Sequence, residues 1–123
     1  MPVYQGRNSC MARREGVYVR RIEHPGVDTV DEAVALAYMC VRDLRRGYTY
    51  ENKTCRKVRM TGELFRKRVK YIYTLAVKHG ASARELQVIR RLVNYVLKHR
   101  RMPKTVAGRS VEAVKKRMLV RTR

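Results

Sequence analysis

The sequence predicts an all-α protein, a compact bundle of about four helices preceded by an extended basic arm. Three observations carry that expectation. Four stretches place apolar residues at the spacing of a helix face, each behind a residue suited to cap a helix. The hydrophobic fraction, 45%, suffices for a core and is too high for a disordered chain. The first 27 residues instead mix Arg7, Arg13, Arg14, Arg20 and Arg21 with Gly6, Gly16, Pro25 and Gly26. At 123 residues the chain is one domain's worth. It divides into an arm, 1–27, and a helical domain, 28–123.

Taken in order, the arm reads as extended and basic, with a floppy terminus as the alternative. Its periodic piece is GVYVRRI, where Val17 and Val19 alternate as in a short strand. The first helix opens on TVDE, where Thr29 and Glu32 form a capping box and Asp28, Asp31 and Glu32 sit at its positive end. Val30, Ala33, Val34, Ala37, Val41 and Leu44 make its stripe, and Arg45 and Arg46 precede a terminating Gly47. The acids are assigned to capping. YTYENKTCRKVRM, 48–60, is a polar, basic connector, either a phosphate contact or an idle solvated loop.

The second helix runs from near Thr61 to Gly80, burying Phe65, Val69, Ile72 and Ala76, widened by Leu64 and Leu75, with Arg66, Lys70 and Tyr73 on another face. The third starts with a capping box, Ser82 to Glu85, and turns Leu86, Ile89, Leu92, Val93 and Val96 to the core. Arg84, Arg91, Tyr95 and Lys98 form one flanking stripe, and Arg90, Asn94 and Arg101 another. A basic cluster, KHRRMPK, ends it before Pro103. The fourth helix, capped by Ser110, buries Val111, Val114 and Met118 and leaves Lys115, Lys116 and Arg117 outward.

Thirty Lys+Arg against ten Asp+Glu give a formal charge of +20 and a pI near 10.8. Self-repulsion of that size opposes folding unless a polyanion is present. Arg outnumbers Lys by 21 to 9, and the planar guanidinium fork grips phosphate oxygens in pairs. Residues 83–123 hold 13 cations against Glu85 and Glu112. Duplex DNA carries one charge per about 1.7 Å, so this charge balances about ten base pairs, or about 34 Å, near the width of such a domain. The candidate nucleic-acid contacts are therefore spread over many faces. They are Arg13, Arg14, Arg20 and Arg21 in the arm, Arg45 and Arg46 ending the first helix, and Arg56, Lys57 and Arg59 in the connector. Arg66, Lys67 and Lys70 follow on the second helix, then Arg84, Arg90, Arg91 and Lys98 on the third, with Arg100, Arg101 and Lys104 beyond it. Arg109, Lys115, Lys116, Arg117 and Arg121 lie in the closing stretch.

Other chemistry finds little to stand on. No apolar run reaches the roughly 18 residues that span a membrane, and the start carries no signal-like apolar run, which implies a protein made and kept inside a cell or packed in a particle. Cys10, Cys40 and Cys55 show no C-x-x-C and no paired His, which argues against zinc. Cys40 falls in an apolar helical pattern and reads as a small core residue. His24, His79 and His99 lie far apart, and GRSVEA lacks the Lys-Ser/Thr of a P-loop. The expectation is no enzyme, no cofactor and no small-molecule substrate.

The stretch SARELQVIRRLVNYVL…GRSVEAVKKRM, within 82–119, resembles the homeodomain-like or Myb-like trihelical motif, which implies a base-reading last helix. Between Pro103 and Gly108 only KTVA is available for a second helix. Residues 111–119 hold no Asn or Gln, and consecutive Lys115, Lys116 and Arg117 cannot all enter one groove. As a whole, the arm GRNSCMARREGVYVRR, the helical body and the stripes RKRVKYIY and RRLVNYVLKHRR resemble the DNA-binding coat proteins of filamentous viruses of hyperthermophilic archaea, of the tristromavirus type. That resemblance implies a helical nucleocapsid in which copies of one coat protein, or of two related ones, enclose double-stranded DNA in A-form. It places the protein in the virion, and in the host cytoplasm before assembly. A helix-turn-helix regulator dimerising through 1–60, and a ribosomal or chromatin protein, are the alternative readings.

Overall fold

Helix α2, Thr29–Arg46, is buried on nearly every side, and the rest of the chain packs around it in a computed structural model that describes residues 9–122. Residues 1–8, with Arg7 of the expected arm, and residue 123 lie outside the described residues. From Thr29 to Ala37 no residue of α2 is exposed. Small side chains at Ala33, Ala35 and Ala37 let neighbouring helices approach closely, so the helix serves as the core itself. Its start differs from expectation by one residue. Asp28 is the N-cap, its carboxylate accepting from the Asp31 amide at 2.8 Å, and Thr29 is the first helical residue. That shift takes Glu32 out of the capping box.

Helices α3, Gly62–Lys78, and α4, Ala83–His99, form an antiparallel pair against α2. Thr61 caps α3, and Ser82 with Glu85 closes both bonds of the expected capping box on α4. Between them the chain reverses through Gly80 at φ 79°, with the Gly80 amide donating to Val77 O and the Ala81 amide to Ala76 O. This is the Schellman ending that a glycine in the left-handed region permits. The expected apolar stripes are the buried ones. Phe65, Val69, Ile72, Leu75 and Ala76 on α3 meet Ile89, Leu92, Val93 and Val96 on α4.

The fold is mainly helical, as expected, and carries in addition three two-stranded antiparallel ribbons among the described residues. The connector 48–60 is not a loop: β2, Tyr48–Tyr50, pairs with β3, Lys57–Arg59, and Thr49 and Tyr50 are buried. The KTVAGRS stretch is a tight hairpin of β4, Thr105–Val106, and β5, Arg109–Ser110. Its two turn residues, Ala107 and Gly108, have φ of 51° and 78°, as a type I′ turn demands. Ser110 then caps α5, Val111–Met118, as expected.

The extended arm also gives way within the described residues. Ser9 caps a short helix, α1, Cys10–Glu15, and strand β1 follows at Val17–Val19, where the Val alternation predicted one. Strand β1 pairs with β6, Leu119–Arg121, which continues directly from α5. The ribbon is closed by the Arg20 amide on Met118 O at 2.9 Å and the Thr122 amide on Gly16 O at 2.8 Å. Met11 and Val19 are fully buried, and a disulfide joins Cys10 to Cys55 between β2 and β3. These contacts pack Cys10, Met11, Ala12 and Val19 against the helical body, while Arg13 and Arg14 stay exposed.

Candidate nucleic-acid interface

The distribution of the acids determines where the positive charge is felt. Asp43, fully buried, accepts from Thr49 Oγ1 at 2.7 Å and pairs with Arg42 at 3.1 Å and Arg46 at 3.0 Å. Glu15 of α1 pairs with Arg42 and Arg46 as well. Glu32, also buried, accepts the Ile22 amide at 2.9 Å and lies 2.8 Å from His79 Nδ1 and 3.8 Å from Arg21 Nε. Asp31 meets Arg109 at 2.8 Å and Arg117 at 3.1 Å. The N-terminal acids of α2 thus do more than cap. Together with Asp43, they tie the end of α3, the β2–β3 hairpin and α5 to the central helix, while Glu15 ties α1 to it through Arg42 and Arg46.

Outside that knot most of the cations face solvent. From 61 to 104 the chain holds twelve Lys and Arg against Glu63 and Glu85, and Glu85 is bound to its cap, the Ser82 amide donating to Oε1 at 2.8 Å. Arg66, Lys67 and Lys70 on α3 are exposed, as are Arg84, Arg90, Arg91 and Lys98 on α4. Arg90 donates to the Tyr73 hydroxyl at 3.1 Å across the helix pair, its guanidinium 5.1 Å from the ring centroid. Arg84, Arg91 and Lys98 recur every seven residues, a row about 21 Å long that matches about six base pairs. Arg100, Arg101 and Lys104 extend the basic surface past the end of α4, all three exposed.

The remaining candidates divide. Arg13, Arg14, Arg45, Lys57, Arg59, Lys116 and Arg121 are exposed, and Arg56 is exposed while 3.4 Å from Glu51. Arg20 is half-buried beside the β1–β6 ribbon, and Arg21 is half-buried toward Glu32. Arg46, half-buried, also lies 4.0 Å over the Tyr48 ring. Hydrogen bonds and the charges of Glu15 and Asp43 hold its pKa above the ordinary value, although burial, the largest influence, pulls the other way.

On the closing helix Lys116 and Arg117 are exposed, as expected, while Lys115 is half-buried. Lys115 pairs with Glu112 at 2.9 Å and lies 4.6 Å over Tyr38. Arg117 reaches Asp31, and Lys116 alone of the three has no ion pair among the described residues. Arg109 donates to Asp28 first and to Asp31 as well, and these hydrogen bonds and charges raise its pKa. Sequence reasoning also passed over Arg42 and Arg68. Arg68 donates to Thr49 Oγ1 at 2.7 Å and Tyr50 O at 2.8 Å. Its place in the Phe65–Val69–Ile72 stripe was the available signal for an inward guanidinium. For Arg42 the sequence offers no comparable signal.

Among the described residues, no group of three His, Cys, Asp or Glu side chains could hold a metal ion, and no helix is long and apolar enough to cross a membrane. Compared with known proteins, the chain matches no family model, no curated protein and no solved structure.

Proposed function

We propose that this protein binds double-stranded DNA through its phosphates, without reading sequence, and coats it as one of many copies in a helical nucleoprotein. The observation that carries the reading is the α3–α4 surface, whose exposed cations far outnumber its acids, Glu63 and Glu85, while Asp31, Glu32 and Asp43 are paired on α2. A predominantly positive surface neutralises phosphates and releases counterions whatever the base sequence. The closing helix supports the same reading, since Arg109 and Arg117 hold it on α2. A hairpin also occupies the position of the second helix of a helix-turn-helix. The setting that fits is the nucleocapsid of a filamentous virus, with copies of this chain or a related partner alongside. Intracellular disulfides, uncommon elsewhere, are frequent in hyperthermophilic archaea, and the Cys10–Cys55 bond agrees with such a host.

Electron micrographs of the protein mixed with a duplex of a few kilobases test this. Continuous filaments are expected; isolated particles at defined positions on the DNA contradict it.

A further inference from the structure

A second basic surface lies on the side of α2 that faces away from α3. At about 100° per residue, Tyr38, Arg42 and Arg45 share one side of α2, and Leu36, Cys40 and Asp43 lie about half a turn away. Helix α3 is on the latter side, since Arg68 and Asp43 meet at Thr49 and His79 meets Glu32. The former side opens to solvent in a shallow depression lined by Tyr38, Val41, Arg42, Arg45 and Arg46.

The β2–β3 hairpin extends this surface. Its register sets Tyr48 opposite Arg59 and Tyr50 opposite Lys57, so these four side chains share one face of the ribbon. Thr49, on the other face, is the one Arg68 binds, so the tyrosine face looks away from α3. Tyr48 lies between Arg46, at 4.0 Å, and Lys57, at 4.2 Å, and Arg14 of α1 lies 5.3 Å from the Tyr50 ring. Arg46 is also paired with Glu15 and Asp43, whereas stacking restricts Lys57 and Arg14 without neutralising them, and neither has an ion pair among the described residues. Arg45, Lys57 and Arg59 are exposed and have no ion pair among the described residues.

We propose that this depression and the adjoining hairpin face form a second duplex-binding surface, so that one copy holds two DNA segments on opposite sides. The inference rests on the reading that the α3–α4 surface binds DNA. It adds that each copy bridges neighbouring turns or neighbouring molecules of the polyanion. The occupant is a phosphate backbone because the free groups are cations and the rings beneath them are already stacked.

The test is the mass of the complex by sedimentation, with the protein in excess duplex of about ten base pairs, about 34 Å and so long enough to cover one face of the domain. Two duplexes per chain are expected. The triple variant Arg45→Ala, Lys57→Ala, Arg59→Ala should bind one, and so should Arg66→Ala, Lys70→Ala, Arg91→Ala. Should a triple variant change the fold, Arg45→Glu alone should give the same drop to one. One duplex per unaltered chain overturns the inference and leaves the proposed function standing. So does retention of two by the α2–hairpin variants, or loss of all binding in either triple variant. No binding by the unaltered chain overturns the proposed function itself.

Discussion

Arg109 fastens the start of α5 to the start of α2: one guanidinium nitrogen lies 2.8 Å from Asp31 Oδ1 and 2.9 Å from Asp28 Oδ1. The contact spans 78 and 81 residues of sequence. Asp31 is nearly buried, with a side-chain exposure of 7%, so removing Arg109 leaves its Oδ1 poorly solvated and Arg117, on Oδ2, as its remaining cation.

Arg109→Ala should therefore act on the fold. We expect a loss of about 1–3 kcal/mol in urea unfolding. Lys116→Ala, at an exposed position with no ion pair among the described residues, should leave stability unchanged. Equal midpoints for the two variants contradict this assignment.

Acid should weaken the same contact. Burial tends to raise the Asp28 pKa, but hydrogen bonds from Arg109 and the Asp31 amide bring it below the ordinary 3.8. A carboxyl depressed in the folded state stabilises the fold above its unfolded value, and that contribution is lost as pH falls through the folded value. The window lies below pH 3.8. Melting temperature followed through that range should fall less steeply in Arg109→Ala, which has already lost the interaction. Parallel slopes contradict it.

The sequence made the helices legible because each depends on neighbours a few residues away. Thr61, Ser82 and Ser110 announced α3, α4 and α5, and the stripes of α2, α3 and α4 marked the core. The pairings that close the fold were not legible, because their partners are distant. Nothing near Val17 indicates that it lies opposite Arg121, and nothing near Cys10 indicates Cys55, 45 residues on. The connector misled because its strands are three residues each, too short for alternation to stand out among Asn52, Lys53 and Thr54. For the site, exposure on α3 and α4 followed from helical spacing. The internal role of Arg109 and Arg117 did not, since a guanidinium seeking phosphate and one bound to Asp31 read alike.

Reduction of the Cys10–Cys55 disulfide should cost about 4 kcal/mol, the chain-entropy value for a loop of this size. Urea midpoints with and without reductant measure it. Cys40, whose thiol burial pushes up to about 12, should stay unreactive toward a thiol reagent until the protein unfolds. Reaction of Cys40 in the folded, oxidised protein contradicts its place in the core.

Val114, 1% exposed, anchors α5 with Val111 and Met118. Val114→Asp buries an unpaired charge and should cost more than about 4 kcal/mol. Loss of α5 should expose β6 and its partner β1, so proteolysis should then cut near Arg20 and Arg121. A native cleavage pattern contradicts the dependence of that ribbon on α5.

The salt dependence of duplex affinity, measured for two unrelated sequences, tests most directly whether α3 and α4 bind DNA without reading it. Arg66→Ala, Lys70→Ala, Arg91→Ala and Lys98→Ala should each lower the slope of log K against log salt by about 0.9, equally for both duplexes. The preference of the unaltered protein between duplexes should stay under about tenfold, where specific binders exceed about 10³. Unchanged slopes in these variants, or a loss confined to Lys115 and Lys116 that also alters base preference, contradict it.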